Sequence, residues 1–235
     1  MPVFQLIEGL PVFPAPEYAQ LNGLLAIGGD LSEARLLEAY RQGIFPWYEE
    51  GQPLLWWSPN PRLVLYPEEL RISRSLKKTL RKGVFEASMD TAFEEVIQAC
   101  AEVRVNSGEG TWITGEMQDA YLKLHQSGYA HSFESWHEGE LVGGLYGVQI
   151  GGCFFGESMF SRRSDSSKCA LVALAGYADA SGIRMIDCQM HTGHLVRMGA
   201  REISRKAFLS QLRKHIRKPL HSSSPPPLSQ PALAY

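Results

Sequence analysis

Three stretches of the chain hold residues whose types and spacing fit chemistry. The first is Ile186-Asp187-Cys188-Gln189. Read as a strand, it puts Asp187 and Gln189 on one face and Cys188 on the other. An acid beside an amide can share one hydrogen-bond network, because the acid accepts a proton while the amide both donates and accepts. A strand end with two solvated polar groups is the plainer alternative. The same face argument separates Cys188 from Asp187 and weakens a thiol nucleophile. The second stretch is Gly156-Glu157-Ser158. A carboxylate after an apolar run and a glycine can enter a cleft and bind a cation or polarise an amine, or it can simply face water. The third runs from Arg71 to Lys82 and holds Arg71, Arg74, Lys77, Lys78, Arg81 and Lys82 with no acid. As a helix it puts Arg74, Lys77, Lys78 and Arg81 on one face and Leu76 and Leu80 on the other. Such a face can follow a phosphate backbone. A solvated basic face is the commoner use of such a run.

Other groups fit less well. Tyr40, Trp47, Trp56, Trp57 and Trp112 can stack on a base, though aromatics taken singly are usually core. His191 and His194 form a His-x-x-His without a thiolate pair nearby, so no metal is expected. Arg162, Arg163 and Lys168 flank a helix start at Asp165-Ser166-Ser167, a setting that suits phosphate. A coenzyme A loop needs glycines there, and Arg162 to Ser167 has none. Gly108 and Gly110 stand elsewhere, at the wrong distance from Arg104.

The elements that position these groups follow from periodicity and punctuation. The spacing predicts a helix capped by Asp30, with Glu33 as the capping-box acid, Leu36, Leu37 and Tyr40 inward, and Gly43 as its stop. Further helices are expected over Ile72–Lys82 with Ser73 as cap, after Asp90, after Thr114 up to Gly128, over Ser167–Ala180, near His194–Met198 and over Arg205–Arg217. Strands are expected at Ala130–His137, Leu141–Gln149, Cys153–Ser158, Arg184–Gln189 and from Ala200. Pro59 and Pro61 suggest a boundary. Residues 1–61 then form a small N-terminal α+β domain, 62–218 a catalytic domain, and 219–235 a disordered Ser/Pro-rich tail. The order helix, hairpin strands, helix, strand, helix, strand resembles the GNAT acyltransferase fold. The fold class expected is therefore α+β, a small N-terminal domain packed on a GNAT-like domain with a mixed sheet.

Bulk properties narrow the class. Over 235 residues the chain is 44% hydrophobic and 20% charged, with net charge −2. That is a globular balance, and it argues against a DNA-coating protein. No apolar run approaches the roughly 20 residues of a membrane span. Four scattered cysteines make no Cys-x-x-Cys pair, so neither a disulfide scaffold nor a zinc knuckle is expected. A cytoplasmic protein is the expectation.

Seven blocks in register resemble the leucyl/phenylalanyl-tRNA–protein transferases: NGLLAIGGDL at 22–31, GIFPW at 43–47, WWSPNPR at 56–62, GTWI at 110–113, ELVGGLYGV at 140–148, GESMFSR at 156–162 and IDCQ at 186–189. The resemblance implies an enzyme that moves leucine or phenylalanine, and less readily methionine, from charged tRNA to the α-amine of proteins beginning with Lys or Arg. The modified proteins are thereby marked for N-end-rule degradation. It implies no cofactor and no metal, with leucyl-tRNA, phenylalanyl-tRNA and acceptor proteins as partners, and neither DNA nor a membrane. It also assigns roles. Asp187 matches the proposed base, Gln189 the residue it polarises and Glu157 an acceptor-site residue. Tyr40, Trp47 and Trp112 match the aromatics around the terminal adenosine. Leu145, Phe154, Gly156 and Leu174 match the aminoacyl pocket. The family's best-known member has Met, Phe and Phe where Leu145, Leu174 and Ala178 stand, so the pocket here has a different shape. The expected mechanism has Asp187 holding Gln189, with Asp187 and Glu157 making the acceptor pocket negative. The rival readings are a coenzyme A acetyltransferase, against which the missing loop speaks, and a non-catalytic tRNA- or N-terminus-binding adaptor.

Overall fold

A computed structural model describes residues 3–106 and 111–217, with side chains left undescribed for 104–106. The expected disordered tail at 219–235, Gly110 of the GTWI block and the Arg104–Gly110 comparison lie outside the described residues.

The chain begins with β1 (Phe4–Leu6), β2 (Leu24–Gly28), α1 (Glu33–Arg41), β3 (Phe45–Pro46) and β4 (Leu55–Trp57). It continues with β5 (Arg62–Leu65), α2 (Arg74–Arg81), β6 (Glu86–Met89), α3 (Phe93–Asn106) and α4 (Gly115–Gln126). Then come β7 (Ala130–His137), β8 (Glu140–Ile150), β9 (Cys153–Ser161), α5 (Ser166–Ser181) and β10 (Met185–Gln189). α6 (Gly193–Arg197), β11 (Arg201–Ile203) and α7 (Arg205–His215) complete it. Among the described residues the strands form two sheets, ordered β1-β2-β4-β3 and β11-β5-β10-β9-β8-β7-β6. The larger is mixed: β9 and β10 run parallel, joined through α5, and the other neighbours are antiparallel. The fold class is thus α+β with a mixed sheet.

Alternation along the central strands sends neighbouring residues to two separate apolar clusters. Val64, Tyr146, Phe155 and Met185 join one, shared with α1, α3, α4 and α7. Leu63, Leu65, Leu145, Phe154 and Ile186 join the other, shared with α5 and with Leu76 of α2. Both faces of the sheet are therefore covered, which is why β8 reads as a nearly continuous apolar run.

Capping follows local hydrogen-bond competition. Ser73 accepts from Leu76 N at 3.2 Å and Thr114 from Met117 N at 3.3 Å, so both expected caps form. Two others differ. Ser32, not Asp30, caps α1, accepting from Arg35 N at 3.4 Å. Asp30 accepts from Gly9 N at 2.7 Å and pairs with the buried Arg35 guanidinium at 3.2 Å instead, because an ion pair outcompetes a neutral cap. Asp90 is drawn to β7, where it accepts from Ser132 N at 2.9 Å and meets His131 Nδ1 at 2.7 Å. Among the described residues, no helix is long and apolar enough to cross a membrane.

Candidate active site

β10 brings Asp187 and Gln189 to the centre of the larger sheet, but alternation does not hold to the end of the strand. The β10–β5 register slips between Asp187 and Gln189, and Gln189 adopts φ 60°. The two side chains therefore reach different partners. Asp187, 0% exposed, receives a two-pronged ion pair from Arg62 of β5: Nε to Oδ1 at 2.8 Å and Nη2 to Oδ2 at 2.6 Å. The Arg62 guanidinium lies between the rings of Phe45 and Phe208, 4.7 and 4.6 Å from their centroids. Asp187 Oδ1 also accepts the backbone N–H of Gln189 at 3.0 Å. Asp187 thus fixes the backbone of Gln189, not its amide.

The Gln189 side chain is held by Glu157 instead. Its Nε2 donates to Glu157 Oε1 at 2.9 Å. The parallel register explains the meeting. Asp187 lies opposite Phe155, so the residues two further along each strand, Gln189 and Glu157, face one another. Glu157 shares its side of β9 with Phe155 and meets two phenols there. Tyr40 of α1 donates to Oε1 at 2.8 Å and Tyr121 of α4 to Oε2 at 3.0 Å. The two phenol oxygens also form a close hydrogen-bonded contact with each other. Burial pushes the Glu157 carboxyl up to about 7; the tyrosine hydrogen bonds pull it down, the Asp187 charge raises it and the Gln189 hydrogen bond lowers it. Burial and then the nearby Glu157 charge hold both Tyr40 and Tyr121 well above the usual phenol range.

These contacts correct two expectations. Glu157, not Asp187, orients the amide of Gln189. Nor do Asp187 and Glu157 sum to a negative pocket, because Arg62 compensates Asp187 at contact distance. Arg62 and Tyr121 were missed as participants. Arg62 stands at the end of the WWSPNPR block, and a buried arginine needs an acid partner. Tyr121 reads as one inward aromatic among several, with nothing in its spacing to mark it.

The remaining expected residues separate. Leu145, Phe154 and Leu174 gather in the apolar cluster on the side of the sheet away from Tyr40 and Phe155. Gly156 lies between the two groups on β9. A Cβ there would meet only Asp187 O, at 3.6 Å. The β9–β10 pairing stops at Phe155 and Asp187. Beyond that point Gly156 and Glu157 on one strand and Cys188 and Gln189 on the other are no longer joined by the ladder, and the Gln189–Glu157 side-chain hydrogen bond links them instead.

The aromatics also divide. The Tyr40 ring is buried against Phe155 at 5.0 Å, so its hydroxyl alone reaches the site. Trp112 is buried, whereas Trp47 is 37% exposed and packs on Trp57 at 5.6 Å. On α2, Arg74, Lys78 and Arg81 are exposed and Lys77 is half-buried, while Leu76 anchors the opposite face in the core. His191 contacts Glu202 at 3.0 Å, and no group of three or more metal-binding side chains occurs among the described residues. At the start of α5, Lys168 pairs with Asp165 at 2.5 Å and Arg162 with Glu102 at 3.1 Å.

The sequence matches the family model described as leucyl/phenylalanyl-tRNA protein transferase over residues 64–213. It matches the model of that family's N-terminal domain over residues 29–60. A leucyl/phenylalanyl-tRNA–protein transferase of Syntrophobacter fumaroxidans is 58% identical over 224 residues, 95% of each chain. One from Aromatoleum aromaticum is 60% identical over 208 residues, 88% of this chain and 87% of its own. Among solved structures, a GCN5-related N-acetyltransferase from Kribbella flavida is similar at 13% identity. It covers 76% of this chain and 63% of its own with a TM-score of 0.35, a likeness too distant to carry an argument. With both family models matched in order, and relatives this similar along nearly their whole length, the chain belongs to the leucyl/phenylalanyl-tRNA–protein transferase family.

Proposed function

We propose that the chain transfers leucine or phenylalanine from charged tRNA to the α-amine of proteins that begin with Lys or Arg, working in the cytosol. The observation that carries the reading is the end of the β9–β10 ladder at Phe155 and Asp187. It sets a hydrogen-bonded acid–amide pair, Glu157 and Gln189, beside Gly156, with the apolar residues Leu145, Phe154 and Leu174 behind the sheet. An aminoacyl group can direct its side chain to the apolar side and its ester to the polar one. Because Nε2 of Gln189 points at Glu157, its carbonyl oxygen is the end left to accept from an incoming amine.

The chemistry asks little of the protein. An aminoacyl ester is already activated, and the acceptor amine, with a reference pKa of about 7.7–8.0, is roughly a tenth to a fifth neutral near pH 7. Placing that nitrogen against the carbonyl can contribute about 7–11 kcal/mol, so orientation by Gln189 supplies most of the rate. Asp187 and Arg62 serve by fixing the strand end that carries Gln189. Leu145, Phe154, Gly156 and Leu174 form the aminoacyl side of the site, Tyr40, Trp47 and Trp112 its adenosine side, and α2 the tRNA track.

The test mixes the protein with leucyl- or phenylalanyl-tRNA and a peptide beginning with Arg, and follows peptide mass. A gain of one leucine or phenylalanine residue is expected, with no gain on a peptide beginning with Glu. Binding without a mass change would overturn the reading in favour of an adaptor.

A further inference from the structure

We propose that Tyr40, Tyr121 and Glu157 form a hydrogen-bonded ring that closes on one extra proton, and that this ring takes the proton the acceptor amine must shed. Tyr121 is then a positioning residue for the reaction. The proposal rests on the transfer reading above.

The argument is a proton count. Tyr40, Tyr121, Glu157 and Gln189 meet one another in four polar contacts: Tyr40 to Tyr121, Tyr40 to Oε1, Tyr121 to Oε2, and Gln189 Nε2 to Oε1. With Glu157 ionised, the two phenols and the amide bring three hydrogens to these four contacts. If both phenols donate to the carboxylate, the close Tyr40–Tyr121 contact sets lone pair against lone pair. If one phenol donates to the other, its own contact with the carboxylate is left without a hydrogen, and lone pair faces lone pair there instead. One proton on Oε2 removes the conflict. Oε2–H donates to Tyr121, Tyr121 donates to Tyr40, Tyr40 donates to Oε1, and Gln189 donates to Oε1 as before. Every contact then carries one hydrogen, the condition that buried polar groups require.

The surroundings agree. The titratable groups packed around Glu157 are Tyr40 from α1, Tyr121 from α4, Tyr146 from β8 and Asp187 from β10, with Asp187 itself paired to Arg62 of β5. Both phenols keep their protons, so the carboxyl is the group that gains and loses one. Burial sets that event at about 7, within about one unit of the acceptor amine. Transfer between them is therefore nearly balanced, the condition under which a base works best.

The step balances. The ionised ring takes a proton from the acceptor ammonium: an N–H bond breaks and a carboxyl O–H forms. The neutral amine attacks the ester carbonyl, a C–N bond forms, and the C–O bond to the tRNA breaks. The proton the nitrogen still carries in excess goes to the departing tRNA oxygen. The ring returns its own proton to water once the product leaves.

The test titrates the free protein with ¹³C-labelled glutamate by NMR, assigning Glu157 by its loss in Glu157→Gln. The Glu157 carboxyl should titrate near neutrality. In Tyr40→Phe the lone-pair conflict is gone while Tyr121 still donates to Oε2 and Gln189 to Oε1, so the midpoint should fall by about one pH unit. In single-turnover transfer at pH 7, Tyr121→Phe should slow the rate about tenfold and leave KM for charged tRNA unchanged. A Glu157 that is ionised throughout from about pH 5 to about pH 9 overturns the ring. So does a midpoint that rises in Tyr40→Phe, as it would if that phenol served only as a donor to the carboxylate. An unchanged single-turnover rate in Tyr121→Phe overturns its part in the reaction. The titration needs no substrate, so it judges the ring even if the wild-type protein transfers nothing and the functional reading falls.

Discussion

Gln189 stands at φ 60°, a backbone region that costs a non-glycine residue about 1–3 kcal/mol and must be held by its surroundings. The Arg62–Asp187 pair does the holding, since Asp187 Oδ1 both receives the guanidinium and accepts the Gln189 N–H. At 1% and 0% exposure neither charge has water to fall back on. Arg62→Ala should therefore cost about 3–5 kcal/mol in denaturant unfolding, because it leaves a buried carboxylate alone. Replacing both partners, Arg62→Met with Asp187→Leu, should recover most of that stability and yet leave transfer slow, since nothing then fixes Gln189. A double variant that is both stable and active would show that the pair serves stability alone. The participants of this site were unevenly legible in the sequence. Asp187, Gln189 and Glu157 stand out as polar residues in apolar strands, whereas Arg62 meets its partner across 125 positions. Tyr121 lies 36 positions from Glu157 and looks like core until its hydroxyl is traced.

Elements were legible where they are long and punctuated. α4 has its cap at Thr114 and its stop at Gly128, and β7, β8 and β9 are separated by glycine turns. The N-terminal strands were not. β1, β3 and β4 have three, two and three residues, too few for alternation to show, and they exist because the second sheet pairs them. The strand-face reading of β10 failed for a related reason, since a register slip at its last residues leaves no mark in the order of residue types. On α2 the pattern carried through: Leu76 turns into the core while Arg74, Lys78 and Arg81 stay outside. The helix itself contains no acid. Arg74→Glu combined with Lys78→Glu should raise KM for charged tRNA several-fold and flatten its salt dependence, with little change in folding stability. The check is KM measured across a series of salt concentrations. An unchanged KM would mean that the face is merely solvated.

At the scale of the whole molecule, the sequence break at Pro59 and Pro61 and the division into two sheets both point to a separate N-terminal part, while the core points the other way. One apolar cluster contains Leu25, Leu36, Tyr40 and Trp56 together with Val96, Tyr121, Phe155 and Phe208. The active-site ring repeats the pattern, with Tyr40 reaching from the N-terminal segment to Tyr121 and Glu157. The end of α1 is fitted equally closely. Gly43, at φ 72°, lies so near α7 that a Cβ would come 2.7 Å from the Phe208 ring and 2.9 Å from Leu209. Burial shared in this way couples the two sheets, because neither can lose its partner without exposing its own apolar face. Scanning calorimetry should accordingly give one transition, with calorimetric and van't Hoff enthalpies in agreement. Gly43→Ala, which both strains the turn and pushes against Phe208, should lower that transition as a whole. A profile that splits in two, with only the earlier step moved by Gly43→Ala, would show instead that the N-terminal sheet folds by itself and that the site is assembled by docking.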